Sequence, residues 1–252
     1  MARLRRLLPE PEESLTPGEA LAGLALGERA PDDRPHVAVN FVASVDGRAA
    51  FAGRSGALGD EADRELFHAL REQVDAVLVG TGTLRAERYG RLIRDPERRA
   101  ARERAGLRPD PLAVVVSRSL HVPADIPLFS EPDSTVLLYT ASDAEPPEVA
   151  ADLRVVRLDP AEMTMTAALR DLRAEHGVRS LLCEGGPTVF GALVHERVAD
   201  ELFLTLSPKL AGGMEPLTIL QGPPMPEPAE LDLVWVLEAG GALFLRYRLT
   251  LS

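Results

Sequence analysis

Cysteine is all but missing from this chain of 252 residues: Cys183 stands alone, so no intrachain disulfide can form. Only five histidines are present, and they are scattered, so the chain has no Cys/His-rich zinc motif. The His-x-Glu and Pro-Cys-x-x-Cys elements of a zinc deaminase are absent too, and no metal is expected. Lysine is just as scarce, with Lys209 alone against 27 arginines, which we read as genome composition. Neither Gly-x-Gly-x-x-Gly nor Gly-x-x-x-x-Gly-Lys-Ser/Thr occurs, which excludes the standard dinucleotide fingerprint and the P-loop. No apolar run is long enough to span a bilayer, and the basic start Met1–Leu8 is broken at Pro9-Glu10-Pro11, so neither a membrane span nor a secretory signal is expected. The cytoplasm is the expected compartment. A net charge of -11 argues against general nucleic-acid binding while leaving room for a local anion site.

What is present is an ordinary globular composition, 45% apolar and 27% charged, in a chain long enough to bury a substantial core. Its most informative stretch is Leu181-Leu-Cys-Glu-Gly-Gly-Pro-Thr-Val-Phe190. An apolar run stops at Gly185-Gly186 and resumes at helical spacing after Pro187, a residue suited to a first helical turn. This reads as a buried strand, a glycine turn and a helix whose free N–H groups favour an anion. A plain strand-to-helix connection has the same look. Glu184 distinguishes this one, because it puts a carboxylate at the strand edge where open α/β sheets bind ligands. Cys183, inside the apolar run, is expected as a small buried side chain.

Further strands are expected at His36–Val45, Val74–Gly80, Leu112–Ser117, Thr135–Thr140, Leu153–Leu158 and Ala199–Ser207. Helices are expected from Glu61 to Gln73, capped by Asp60, and from Thr166 to His176, closed by Gly177. Leu231–Glu238 and Leu243–Leu251 read as a hairpin about Gly240-Gly241. Residues 1–35 are expected as an arm or short helical lead-in to a single domain over 36–252. Strands alternating with helices before a β-rich end indicate one α/β domain with a mixed, mostly parallel central sheet flanked by helices. Nine arginines between Arg85 and Arg108, interleaved with acids, read as a solvated helix face, with Arg94 set apart as a candidate anion contact.

Three strand ends carry phosphate-friendly chemistry: Gly80-Thr81-Gly82-Thr83, Ser117-Arg118-Ser119 and Glu184-Gly185-Gly186-Pro187-Thr188. Each alone is unspecific. Together they suggest a long polyanion laid across the strand ends. A serine beside an arginine fork suits a terminal phosphomonoester, which in a dinucleotide is the 2′-phosphate of NADP. Asp46, in the turn Asp46-Gly47 after a central strand, has a purely structural reading as a turn residue and a functional one as a carboxylate at the site.

With Ala43-Ser44-Val45-Asp46-Gly47, Val79–Thr83 followed by Arg94, Glu184–Thr188 and Ser207-Pro208-Lys209-Leu210 in this order, the chain resembles the reductase domain of the riboflavin-biosynthesis deaminase/reductase family. The resemblance covers about residues 35–250. It implies a dihydrofolate reductase-like fold, usually a homodimer, and NADPH as the hydride source for 5-amino-6-(5-phosphoribosylamino)uracil, whose ribose becomes a ribityl chain. It also implies that Gly80, Thr81 and Thr83 line the cofactor and that Gly185, Gly186, Pro187 and Thr188 hold its phosphates. By the same resemblance Ser117 and Arg118 take the 2′-phosphate and Ala43 lies near the nicotinamide. Asn40, Ser44, Asp46 and Glu184 would face the substrate, and Arg94 its phosphate.

The chain departs from the bacterial pattern on the substrate side. Asn40 stands where lysine is usual there, as in archaeal-type reductases. The loop Ser55–Gly59 lacks the family's tryptophan and Thr/Ser, and Glu87-Arg88-Tyr89 replaces Asp-Asn/Asp-Pro. Asp46 and Glu184 are the carboxylates placed to hold or supply a proton, or only to orient substrate. A reductase of another small heterocycle or carbonyl, and a non-catalytic NADPH-binding protein, remain the alternative readings.

Overall fold

The computed structural model describes residues 2–214 and 217–250. In chain order it begins with β1 (Leu4–Leu8), β2 (Glu12–Leu15), α1 (Pro17–Ala20), β3 (His36–Ser44), α2 (Glu61–Glu72), β4 (Ala76–Gly80) and α3 (Thr81–Glu87). There follow α4 (Pro96–Arg104), β5 (Leu112–Val116), β6 (Thr135–Thr140), β7 (Asp152–Arg157), α5 (Met165–His176) and β8 (Ser180–Cys183). The chain closes with α6 (Pro187–His195), β9 (Glu201–Ser207), β10 (Leu231–Ala239) and β11 (Ala242–Leu249). Leu251, the expected end of the last strand, lies outside the described residues.

The strands make one sheet in the order β2-β1-β10-β11-β9-β3-β8-β4-β5-β6-β7. From β9 to β7 every neighbour is parallel, and from β9 outward to β2 every neighbour is antiparallel. The mixed, mostly parallel sheet expected from the sequence is therefore present. Its central strands read as unbroken apolar runs because both faces are covered. Val77 and Val79 of β4 join Leu66 and Leu70 of α2 in one core layer. Leu78, between them, joins Leu169 of α5 and Leu193 of α6 in the other. No helix among the described residues is long and apolar enough to cross a membrane.

The first 35 residues differ from the expected arm or helical lead-in. β1 pairs with β10 and with β2, so the start of the chain extends the sheet beyond the C-terminal hairpin. Leu4, Leu15, Leu21, Leu24 and Leu26 are buried beneath it. Polar residues separate these leucines, so no local period shows, and β1 finds its partner at the far end of the chain. Arg29 reaches the fully buried Glu201 of β9, which also takes two bonds from Arg246 of β11 at 2.8 and 2.9 Å.

Among the expected surface arginines, Arg102 is instead 1% exposed. It caps α2 by donating to the carbonyls of Arg71, Glu72 and Val74 at 2.8 to 3.0 Å. A cation there meets the negative end of the helix dipole. Burial draws its pKa down to about 10.

Candidate active site

Because β3, β4, β5 and β8 are parallel, their carboxyl ends open on one edge of the sheet, and a cleft of about 780 Å³ lies there. Gly80, Thr81 and Thr83 line it from β4 and α3, Ser117 and Arg118 from the end of β5, and Glu184, Gly186, Pro187 and Thr188 from the end of β8. Asn40 lines it from β3. The three strand ends singled out in the sequence thus share one cleft.

Close packing explains the glycines. The Gly80 N–H donates to the Gly185 carbonyl at 2.9 Å, and a Cβ on Gly80 would fall 2.8 Å from Val189 Cγ2. A Cβ on Gly186 would lie equally close to Thr83 Oγ1, and the Gly185–Gly186 peptide is cis. Gly80 and Gly186 are the N-caps of α3 and α6, and neither helix has a side-chain cap. Thr81, Gly82, Thr83 and Thr188, in the first turns of these helices, line the cleft. Arg118 enters no ion pair among the described residues.

Ala43, Ser44, Asp46 and Gly185 do not line this cleft. Ala43 and Ser44 are buried in β3. Asp46 accepts from Ser44 Oγ at 2.5 Å and from the amides of Ala211 and Gly212 at 3.1 and 2.7 Å. Those bonds, the serine's first, hold its carboxyl at about 2 and tie the end of β3 to the loop after β9. Arg94 lines an adjoining cavity of about 480 Å³, which shares Ser55, Phe67, Glu87 and Tyr89 with the main cleft.

Glu184 is more heavily engaged than its sequence position reveals. Arg71 of α2 grips it with two bonds of 2.7 Å, and the Tyr89 hydroxyl donates at 2.8 Å. Its side chain is 1% exposed. Two ionised partners in bidentate contact fix both geometry and charge. Burial and the Glu184 charge push the Tyr89 hydroxyl well above its ordinary value, so it stays a donor. Arg71 also stacks on Phe67, 4.3 Å from the ring centroid. Cys183, fully buried, is pushed up to about 12 by burial and is no nucleophile.

The loop Ser55–Gly59 is pinned at both ends. Ser55 donates its N–H and hydroxyl to Glu87 at 2.7 and 2.9 Å. Lys209 Nζ donates to the carbonyls of Ala57, Leu58 and Gly59 at 2.8 to 3.3 Å, and Ser207 joins it on Leu58. Asp63 and Phe67 line the main cleft and Arg71 the adjoining cavity, four residues apart along one face of α2. That stripe was the sequence signal for these residues.

A cleft at the carboxyl ends of parallel strands is the ligand site of the open α/β class, and sequence comparison makes it specific. The model of the RibD C-terminal domain matches residues 35–244, and the chain belongs to that family. It is 28% identical to the 2,5-diamino-6-ribosylamino-4(3H)-pyrimidinone 5′-phosphate reductase of Archaeoglobus fulgidus, over 85% of this chain and 99% of that one. It is 32% identical to the riboflavin biosynthesis protein RibD of Mycobacterium tuberculosis, over 71% of this chain and 44% of that longer protein. Among solved structures, a pyrimidine reductase-like protein from Corynebacterium diphtheriae shares the fold with a TM-score of 0.76 at 24% identity, covering 93% of this chain and 99% of that one. The dihydrofolate reductase-like fold implied by the sequence resemblance is thereby established.

Proposed function

We propose that this chain is an NADPH-dependent reductase of a 6-ribosylaminopyrimidine 5′-phosphate in riboflavin biosynthesis, converting the ribose to a ribityl chain. The observation that carries the proposal is the single cleft joining the Ser117-Arg118 strand end, the starts of α3 and α6, and Asn40 of β3. A pyrophosphate fits the amides of Thr81–Thr83 and Thr188, where the glycines leave room and the helix dipoles favour negative charge. Ser117 and the unpaired Arg118 suit a 2′-phosphate. NADPH, when bound, supplies a hydride. The protein's share is then to align the acceptor carbon, keep water out and hold charge in place.

Glu184, locked by Arg71 and Tyr89, serves in this proposal as a fixed orienting carboxylate. Asp46 serves by bracing the carboxyl end of β3, the strand whose middle carries Asn40. Arg94, in the adjoining cavity, takes the substrate phosphate. A homodimer is our proposal for the assembly, with the segment 199–213 at its interface, and the exposed Leu210 and Met214 in and beside that segment support it. The cytoplasm is the proposed compartment.

The test is loss of NADPH absorbance with the ribosylaminopyrimidine phosphate as substrate. Turnover is expected, and binding of NADPH without turnover would redirect the chain to another heterocycle or carbonyl. With Arg118→Ala, the KM for NADPH should rise about 10- to 100-fold while that for NADH stays level, as one charge-assisted contact is lost. An equal effect on both cofactors would remove Arg118 from the 2′-phosphate.

A further inference from the structure

Four carboxyl side chains line the main cleft: Asp63, Glu87, Glu184 and Glu196. Three already hold partners within the protein. Glu184 is held by Arg71 and Tyr89, and Glu87 by Ser55. Glu196 accepts from the amides of Met165 and Thr166 and from the Thr166 hydroxyl, at 2.7 to 2.9 Å. Asp63 is different. It enters no ion pair among the described residues, and its side-chain hydrogen bond is with Thr205 of β9.

Asp63 stands at the substrate end of the cleft. It lies in the first turn of α2, one turn before Phe67, and Thr205 is paired in register with Val42, two residues along β3 from Asn40. Gly59 makes the room for it: a Cβ there would fall 2.3 Å from Asp63 Oδ2. Gly59 belongs to the loop that departs from the bacterial pattern by lacking its Thr/Ser. The Asp63 carboxylate therefore packs directly against this loop at Gly59.

We propose that Asp63 is the base-reading residue of the cleft, accepting two N–H bonds from the edge of a 2-amino-4-oxopyrimidine and rejecting the 2-oxo (uracil) base. The proposal rests on the reductase reading above. A 2-amino-4(3H)-pyrimidinone presents its N3–H and 2-amino group side by side, two donors matched to the two oxygens of a carboxylate. Uracil presents N3–H flanked by carbonyl oxygens, which face a carboxylate with like charge. Discrimination is strong when a buried polar group is left unpaired by the wrong ligand. Burial raises the Asp63 carboxyl above its ordinary value, and Asp60 adds to this. Thr205, Arg64 and Lys209 draw it the other way without neutralising it.

The experiment compares kcat/KM for the 2-amino-pyrimidinone ribosylamine phosphate and for its uracil counterpart, in wild type and Asp63→Asn. Wild type is expected to favour the 2-amino base by at least about 10-fold, the worth of one polar contact. The side-chain amide of the variant would offer one acceptor and one donor, matching N3–H and O2 of uracil. Asp63→Asn should therefore lose about 100-fold on the 2-amino base and hold or gain on uracil, with NADPH affinity unchanged as a check on folding. Equal losses on both bases, or a wild-type preference for uracil, would overturn the assignment. Should wild type reduce neither base, the reductase reading fails. Calorimetric binding of the two compounds with NADPH present then still decides Asp63, since equal affinity refutes its role and a 2-amino preference removed by Asp63→Asn upholds it.

Discussion

Replacing Glu184 by leucine is expected to destabilise the protein by about 3–5 kcal/mol, because it strands the Arg71 guanidinium in the interior without a counter-charge. Arg71 keeps only the Leu92 carbonyl, at 3.0 Å, and its stacking on Phe67 and Tyr89. The double variant Arg71→Met/Glu184→Leu should recover most of the loss, since a buried ion pair removed whole leaves no orphaned charge. Urea denaturation of the two single variants and the double gives the coupling directly. A single-variant cost below about 1 kcal/mol would mean that water reaches Arg71 and that the pair is not closed. Activity should vanish in both Glu184→Leu and the double variant, which separates the carboxylate's work in the cleft from its work in the fold.

The second large effect lies at Glu201. Burial alone would raise this carboxyl, but His36, Arg246 and Arg29 outweigh it and hold the group at about 2. A carboxyl with a lowered folded-state pKa stabilises the fold above its unfolded value and loses that contribution as pH falls toward the folded value. The window here runs from 4.5 down to about 2. The shift corresponds to roughly 3 kcal/mol at neutral pH. Glu201→Gln should therefore be about that much less stable at pH 7, with the difference closing as both proteins approach pH 2. Urea midpoints at a series of pH values check this, and a gap that stays constant with pH would sink it.

Glu201 also shows where sequence reasoning stops. The strand ends were legible because their chemistry is contiguous: Gly80–Thr83, Ser117-Arg118 and Glu184–Thr188 each follow directly on an apolar run. The pairing of Glu184 with Arg71 was not legible, for the two are 113 residues apart in the chain. Nothing in the neighbourhood of Arg71 marks it, except that it stands eight residues after Asp63 and four after Phe67 on one helix face. Arg29 sits in a stretch whose leucines keep no strand or helix period, so its contact with Glu201 had no local sign. Asp46 is the reverse case. Its strand-end position suggested chemistry, while its three hydrogen bonds spend the carboxylate on joining two loops. Arg102 looked like one of nine surface arginines, and only the fold reveals that it closes a helix.

The strand order carries one more consequence, for the order in which the sheet closes. β1 and its partner β10 lie far apart in sequence: Arg5 is in register with Glu238. The parallel strands from β3 to β9 pair over shorter separations, while β1 has no sheet edge to join until β10 is in place. Contacts of such long range are closed late and slowly. Until β10 is in place β1 is thus an open sheet edge, the kind of segment through which folding intermediates aggregate.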